Sequence, residues 1–245
     1  MNKIESCCYD ERLMEMYAKW LKEADDSFFG EDFSNPYFMK APADWDDKKY
    51  RVMIVGEEGN GVWGAGKGDG WNPKTAEGMC HIMQFNEEYL QTQVIIRQKS
   101  NGYKYNRSNF WRRMRAISDL SKDISIAWSN LDKFHHRKSL GCKLSSEERA
   151  LLHQTSIKVL AEEINILRPT HIIFFGWYSE SLKAEIPNLF AELYKNKTNW
   201  QNTKMETIKT EAYTALFTYH PSWRGKYRPE GYEEKVIETI KNSLQ

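Results

Sequence analysis

Hydrophobic and polar residues alternate along this chain with two different periods. Apolar side chains such as Leu13, Tyr17 and Leu21 recur three or four positions apart, the period of an amphipathic helix that buries one face. Short unbroken apolar runs such as 51–55 (RVMIV) instead indicate strands that are buried on both faces. The pattern predicts helices over 10–24, most of 75–96, 107–121, 146–167, further segments up to about 195, and 230–244, and strands over 51–55, 124–128, 170–175 and 215–219, with an edge strand at 205–211.

This alternation of strands and helices predicts the fold class. Apolar strands separated by helices are typical of a parallel sheet that helices cover on both faces. We therefore predict an α/β protein with three layers, α/β/α, around a short, mainly parallel, four-stranded sheet. No linker, repeat or low-complexity tract interrupts the chain, so we expect a single domain over 1–245, with 1–48 as an N-terminal helical and acidic decoration on a core over 49–245.

The segment 146–167 carries the clearest boundary signals of the predicted helices. Ser145 and Ser146 precede Glu147 and Glu148, the arrangement that caps a helix at its amino end. Pro169 follows the last apolar position and stops the helix.

The composition excludes several classes of protein. Hydrophobic residues make up 40% and charged residues 28% of the chain, so it can build a core and is not disordered. The 35 Lys and Arg against 34 Asp and Glu give a net charge of +1, which excludes a uniformly basic, histone-like coat of nucleic acid. No apolar run approaches the roughly 20 residues that cross a bilayer, and the first residues are too polar for a signal peptide. We expect a cytoplasmic protein that does not enter a membrane.

The cysteines and histidines show no metal-binding spacing. Cys7 and Cys8 are adjacent, and Cys80 and Cys142 stand alone, whereas a zinc or iron–sulfur site needs several thiolates or imidazoles that converge. The six histidines form no HxxxH or HxH pair. We therefore expect reduced, unpaired thiols and no metal.

Charge is unevenly distributed despite the neutral total. The range 23–47 holds eight acidic residues and one base, whereas 97–115 holds seven Lys and Arg and no acid. Two more basic segments are formed by Lys133, Arg137, Lys138 and Lys143 and by Arg224, Lys226 and Arg228. Three basic segments that also carry aromatic or histidine side chains suggest a groove for a polyanion.

Each predicted strand ends in residues that can carry chemistry. In parallel α/β folds, ligands bind at the carboxyl ends of the strands, so these residues are expected at one rim. They bring carboxylates, an amide, a histidine and aromatic rings. The four segments are 56–61 (GEEGNG), 129–132 (SNLD), 176–178 (GWY) and 220–224 (HPSWR).

A glycine-rich loop offers a competing interpretation. The segment 61–68 (GVWGAGKG) nearly spells GxxxxGK[ST], the loop that cradles nucleotide phosphates. Gly68 stands where a hydroxyl must hold magnesium, and no apolar strand ends in the Asp that completes such a site. A nucleotide hydrolase or transferase that uses this loop and Lys67 stays an alternative.

The four strand ends, taken in order, resemble the uracil-DNA glycosylase-like superfamily. That family has a first motif of the type GQDPY or GEAPG, an Asn after a later strand and an HPS motif after the last strand. The resemblance spans about 50 to 225. Its carrying segments are VGEEGNG (55–61), WSNLDK (128–133), LRPTHIIFFG (167–176) and YHPSWRG (219–225).

The resemblance implies a role for each catalytic candidate. Cleavage of a nucleotide's glycosidic bond passes through a cationic sugar and an anionic leaving base. Glu58 matches the carboxylate that directs water, with Asp132 as its rival. His220 matches the His that donates a hydrogen bond to the departing base, and a neutral imidazole suffices for that. Asn130 matches the amide that reads the edge of an extruded pyrimidine, and Trp71 matches the aromatic that stacks on it.

The resemblance also implies a substrate pocket and a DNA surface. The pocket residues would be Gly56, Glu57, Gly59, Asn60, Trp71 and Asp132. The side chains on DNA would be Ser222, Trp223, Arg224, Lys226 and Arg112.

One departure from the family bears on the substrate. Family members with a Tyr in the first motif exclude 5-substituted pyrimidines, whereas this chain has 59–61 (GNG) there. We therefore expect a substituted pyrimidine, such as a modified cytosine of phage DNA, or uracil.

The implied activity is that of a monofunctional glycosylase that acts as a monomer. Its partner is DNA, single- or double-stranded, with a modified or damaged base, and it needs no cofactor. No Lys lies clearly at the rim to form a Schiff base, so no lyase activity is expected. The other alternative is a DNA-binding protein of the same fold that has lost the chemistry.

Overall fold

Helices and strands alternate along the part of the chain that the computed structural model describes, residues 3–24, 33–56, 71–100, 103–134, 145–176, 205–222 and 229–245. A π-helical turn, Thr92–Ile96, follows the second helix. The elements are α1 (Lys3–Glu23), β1 (Tyr50–Gly56), α2 (Ala76–Gln91), α3 (Asn109–Ser118), β2 (Ile124–Asn130), α4 (Ser146–Leu167), β3 (His171–Phe175), β4 (Met205–Lys209), β5 (Thr214–Thr218) and α5 (Tyr232–Ser243). The helical segments predicted between β3 and β4 lie outside the described residues.

The strands form one mixed, mostly parallel sheet in the order β2-β1-β3-β5-β4. β3 pairs in parallel with both β1 and β5. The Tyr50 amide donates to the Asp123 carbonyl where β1 begins, and the Leu131 amide donates to the Gly56 carbonyl where β1 ends. Both ends of β1 thus meet the matching ends of β2, so these strands are parallel as well. The α/β class and the mainly parallel sheet are confirmed.

The predicted number of strands was wrong, because the described residues form a sheet of five strands and not four. The additional strand is β4, the segment predicted as a separate edge strand, and it pairs antiparallel with β5. In β4, Glu206 and Ile208 are buried while Lys209 is exposed, so only one face of the strand is covered. This half-polar pattern separates β4 from the unbroken apolar runs that identified the other strands.

The chain divides into two compact units. The first contains Met1–Ala43, Gly56–Glu87 and Ser129–Leu167, and the second contains Asp44–Val55, Glu88–Trp128 and Arg168–Gln245. In the first unit, α1 packs against α4. The second unit holds most of the sheet together with α3 and α5.

The central strands of the second unit are buried on both faces. Val52–Val55 of β1, all of β3 and most of β5 have almost no solvent exposure. Neighbouring strands are joined by side-chain packing as well as by hydrogen bonds, since Phe174 and Phe217 stack with their centroids 4.4 Å apart. Such burial fits a sheet with helices on both sides, and the structure is consistent with the three-layer α/β/α arrangement.

A buried carboxylate organises the first unit. Glu163 of α4 accepts hydrogen bonds from the Tyr17 hydroxyl at 2.6 Å, the Ser129 hydroxyl at 2.6 Å and the Lys133 ammonium at 2.7 Å. The Lys133 and Glu163 side chains have no exposed surface. Burial lowers the pKa of Lys133, and the attraction of Glu163 opposes that shift. The network therefore joins α1 and α4 to the segment that ends β2.

This network corrects one prediction from the sequence. Lys133 was predicted to belong to a basic loop of a polyanion groove, but it is buried and its charge is neutralised by Glu163. Its partner lies 30 positions away in the sequence, on another helix. The other residues of that predicted loop, 137–143, lie outside the described residues.

Among the helices of the described ranges, none combines the length and the apolar character needed to cross a membrane.

Removing the cation of the buried pair should destabilise the protein strongly. Lys133→Met leaves the Glu163 carboxylate buried without its partner, and we expect a loss of about 3–5 kcal/mol in the free energy of unfolding. The double variant Lys133→Met, Glu163→Gln removes the uncompensated charge and should be more stable than the single variant. Urea unfolding followed by tryptophan fluorescence measures both.

Lys158→Met is the matched control, because Lys158 is an exposed lysine on the same helix as Glu163. It should change the free energy of unfolding by no more than about 0.5 kcal/mol. Equal stability of Lys133→Met and Lys158→Met would contradict the proposed role of the buried pair.

Candidate functional site

The first unit brings together two of the predicted rim residues. Gly56 ends β1 and Asn130 ends β2, and the hydrogen bond from the Leu131 amide to the Gly56 carbonyl measures 2.8 Å. Asn130 has no solvent exposure. Its neighbours Ser129 and Lys133 are held by Glu163, so the segment that carries the Asn130 amide is fixed on both sides.

Asp132 lies two residues beyond Asn130 and faces a histidine of α4. Its Oδ1 atom is 2.9 Å from Nδ1 of His153, and Asp132 is almost entirely buried. No pattern in the sequence pairs these residues, because 21 positions and a change of element separate them. This contact places the Asp132 carboxylate beside an imidazole, and Asp132 stays the rival of Glu58.

Trp71 packs against α2. Its ring stacks on His81 with centroids 5.2 Å apart and meets Phe85 edge to face at 5.9 Å. The Trp71 carbonyl accepts a hydrogen bond from the side-chain amide of Asn35 at 3.2 Å. One aromatic face of Trp71 therefore already stacks on an imidazole, a neighbour that no pattern in the sequence indicated.

His220 belongs to the second unit and follows β5. Its ring stacks on Phe110 of α3, with centroids 5.9 Å apart and planes 27° from parallel. Phe110 in turn contacts Trp111, Trp128 and Phe175 edge to face or tilted. The imidazole thus rests on an aromatic cluster that gives it a fixed orientation.

The hydrogen bonds of His220 define its tautomer. The Ser222 amide donates to Nδ1 at 3.2 Å, so Nδ1 acts as an acceptor and the proton of a neutral ring resides on Nε2. Burial and, secondly, the nearby Arg113 guanidinium lower the pKa of His220. At neutral pH the side chain is therefore an uncharged donor through Nε2.

Arg113 fixes the end of the strand that leads to His220. Its buried guanidinium donates to the Thr218 hydroxyl at 3.0 Å, to the Tyr219 carbonyl at 2.8 Å and to the Glu233 carboxylate of α5. The guanidinium also lies over the Phe175 ring. Arg113 was predicted to belong to a basic segment of a polyanion groove, and that prediction is wrong for this residue because it is buried.

Arg115 is likewise buried, so it too is withdrawn from the predicted basic surface. Two other residues predicted to contact DNA are exposed: Arg112, whose Nε donates to the Arg107 carbonyl at 3.1 Å, and Ser222.

Several predicted site residues lie outside the described residues. They are Glu57, Glu58, Gly59 and Asn60 after β1, Trp223, Arg224 and Lys226 after the HPS motif, and the glycine-rich segment 61–68.

Within the ranges that the structure describes, no group of three or more His, Cys, Asp or Glu side chains could hold a metal ion. In comparisons with known proteins, the chain matches no protein-family model and no curated protein.

The protonation of His220 can be tested directly by NMR. An imidazole in an unfolded chain titrates near pH 6.5, and burial with the Arg113 charge disfavours protonation in the folded state. We expect a titration midpoint below 6.5, with nitrogen shifts that show an unprotonated Nδ1 and a protonated Nε2. As the pH falls below 6.5 the unfolded chain takes up its proton first, so this group lowers stability there.

The signal of His220 is identified by its loss in His220→Ala. A midpoint at or above 6.5, or a proton on Nδ1 at neutral pH, would contradict the assigned environment.

Proposed function

We propose that this chain is a monofunctional DNA glycosylase that flips out a damaged or modified pyrimidine and hydrolyses its N-glycosidic bond, leaving an abasic site. The observation that supports it best is the environment of His220. A neutral imidazole, stacked on Phe110 and with its proton on Nε2, suits hydrogen-bond donation to a departing base. The family resemblance of the strand ends supplies the reaction class.

The reaction needs only a few groups. The bond between the sugar C1′ and the pyrimidine N1 breaks, its electron pair leaves with the base, and a water oxygen bonds to C1′. His220 would stabilise the negative charge on the departing base through Nε2–H. Glu58, matched from the resemblance, would orient the water and take up its proton.

The rim of the first unit suits recognition of an extruded base. Asn130 offers a donor and an acceptor on one amide, as the edge of a pyrimidine requires. It is fully buried on a segment that the Glu163 network fixes. Protein atoms cover Asn130 completely in this structure, so a base would reach its amide only by entering the interior of the unit, which requires a nucleotide that has left the stack.

The preferred substrate would carry a substituent at C5. Residues 59–61 (GNG) replace the bulky part of the family's first motif, so the pocket should accept a 5-substituted pyrimidine as well as uracil. Modified cytosines of phage DNA are the leading candidates. On this proposal the protein works in the cytoplasm as a monomer on DNA, without a cofactor, in repair or in defence against phage.

The activity is tested with fluorescein-labelled oligonucleotides, single- and double-stranded, that contain one uracil, one 5-hydroxymethylcytosine or one glucosylated 5-hydroxymethylcytosine. We expect strand breaks at the modified position of at least one substrate, and only after hot alkali cleaves the abasic site. His220→Ala and Glu58→Gln should each lower the rate by about 10²- to 10³-fold. His220→Gln keeps a neutral hydrogen-bond donor and should lower the rate by a smaller factor.

Glu211→Gln is the matched control for Glu58→Gln. Glu211 is exposed in the turn before β5, at the opposite end of that strand from His220, and its substitution should leave the rate unchanged. Breaks that appear without alkali would indicate a lyase. DNA binding without release of any of these bases would favour a protein that has lost the chemistry.

A further inference from the structure

The connection between α2 and α3 displays two isoleucines to solvent. The π-helical turn Thr92–Ile96 ends at Arg97, which adopts a left-handed conformation with φ 58° that residues other than glycine rarely take. Ile95 is 59% exposed and Ile96 41% exposed. Two adjacent exposed apolar side chains on an irregular turn suggest a contact with a binding partner. π-Helical turns also often occur at functional sites.

Buried polar side chains hold this connection in place. The Gln93 side chain donates to the Lys104 carbonyl at 2.9 Å and accepts from the backbone N–H of Asn106 at 2.7 Å. Arg115 donates to the Gln93 carbonyl at 3.0 Å and to the Asn106 carbonyl at 3.1 Å. Both side chains are buried, so Lys104 and Asn106 are fixed beside the π-helical turn although neither lies in a helix or strand.

The same connection carries a strong excess of positive charge. The sequence from 89 to 118 holds seven Lys and Arg and no acid. Arg113 and Arg115 are buried and Arg97 is paired with Asp119, which leaves four exposed cations. They are Lys99, Lys104, Arg107 and Arg112. The two carboxylates that flank this range are already hydrogen-bonded, Asp119 to Arg97 and Glu88 to the Tyr103 hydroxyl.

We propose that Ile95, Ile96, Lys99, Lys104 and Arg107, which we call the isoleucine surface, bind a DNA strand. The cations would contact phosphates, and the two isoleucines would pack against the bases. This inference rests on the proposed function and extends it, since it assigns DNA contacts to residues that the HPS loop does not include.

The position of the isoleucine surface beside α3 agrees with this role. Arg107 precedes Ser108, the N-cap residue of α3, and Phe110 in the first turn of α3 stacks on His220. A strand whose target base reaches His220 would therefore pass Arg107. Binding through phosphates and bases is also favoured over binding to an anionic membrane, because interfacial membrane segments present a broad apolar face whereas this turn presents two side chains.

The test measures binding without cleavage. Fluorescence anisotropy follows an unmodified, labelled oligonucleotide, single-stranded and duplex, with the full-length protein over a series of NaCl concentrations. We expect Ile95→Ser, Ile96→Ser to weaken binding about tenfold while the slope of log Kd against log[NaCl] stays the same. We expect Lys104→Ala, Arg107→Ala to lower that slope by about 1.4 on single strands, since two phosphate contacts are lost.

The matched control is Lys19→Ala, Lys22→Ala, which removes two exposed lysines of α1 and should change neither Kd nor slope. Unchanged DNA binding by both variants of the isoleucine surface would overturn the inference. So would sedimentation of the protein with phosphatidylserine vesicles that depends on the isoleucines when DNA binding does not.

Failure of this inference can be told apart from failure of the proposed function. If the isoleucine-surface variants lose DNA binding but the unaltered protein releases no base from any oligonucleotide, the DNA-binding role of the surface is supported and the glycosylase activity is contradicted. If bases are released at the same rate by these variants and by the unaltered protein, the activity stands and the surface fails.

Discussion

The buried carboxylate of Glu163 is the constraint on which the first unit depends. A charge without solvent exposure is costly unless its oxygens are fully hydrogen-bonded, and Glu163 meets this requirement with Lys133, Ser129 and Tyr17. These partners come from α1 and from both sides of Asn130, so the geometry that satisfies the charge also fixes the amide proposed to read the base. The hydrogen bonds of Glu163 therefore both stabilise this unit and position Asn130.

The second unit also contains a buried charge that needs hydrogen-bonding partners, and this charge is positive. Arg113 is buried, and its guanidinium is satisfied by Glu233, the Thr218 hydroxyl and the Tyr219 carbonyl. Its charge also reaches His220, where it adds to burial in keeping the imidazole neutral. In both units a buried charged side chain, Glu163 in the first and Arg113 in the second, therefore helps to position a residue to which we assign a role in the chemistry.

The sequence predicted the local features of the fold and missed the long-range ones. Helix α4 begins and ends where its caps indicated, and Ser145 and Glu148 exchange the two hydrogen bonds of a capping box. The unbroken apolar runs located four strands, whereas half-polar β4 was not counted in the sheet. A charged residue carries no local sign of its partner, so Lys133 and Arg113, paired 30 and 120 positions away, were both mistaken for surface cations. Similarly, nothing in the chain near Asp132 points to His153.

The central claim is that this protein releases a free base from DNA and leaves the backbone intact. The most direct measurement is mass spectrometry of the small molecules set free when the protein is incubated with phage DNA that contains modified cytosine. If the proposal is right, the spectrum shows the mass of the free modified base, with no nucleotide or phosphate, and His220→Ala releases that base about 10²- to 10³-fold more slowly. Release of phosphate from a nucleotide that requires magnesium and Lys67, with no free base, would contradict it.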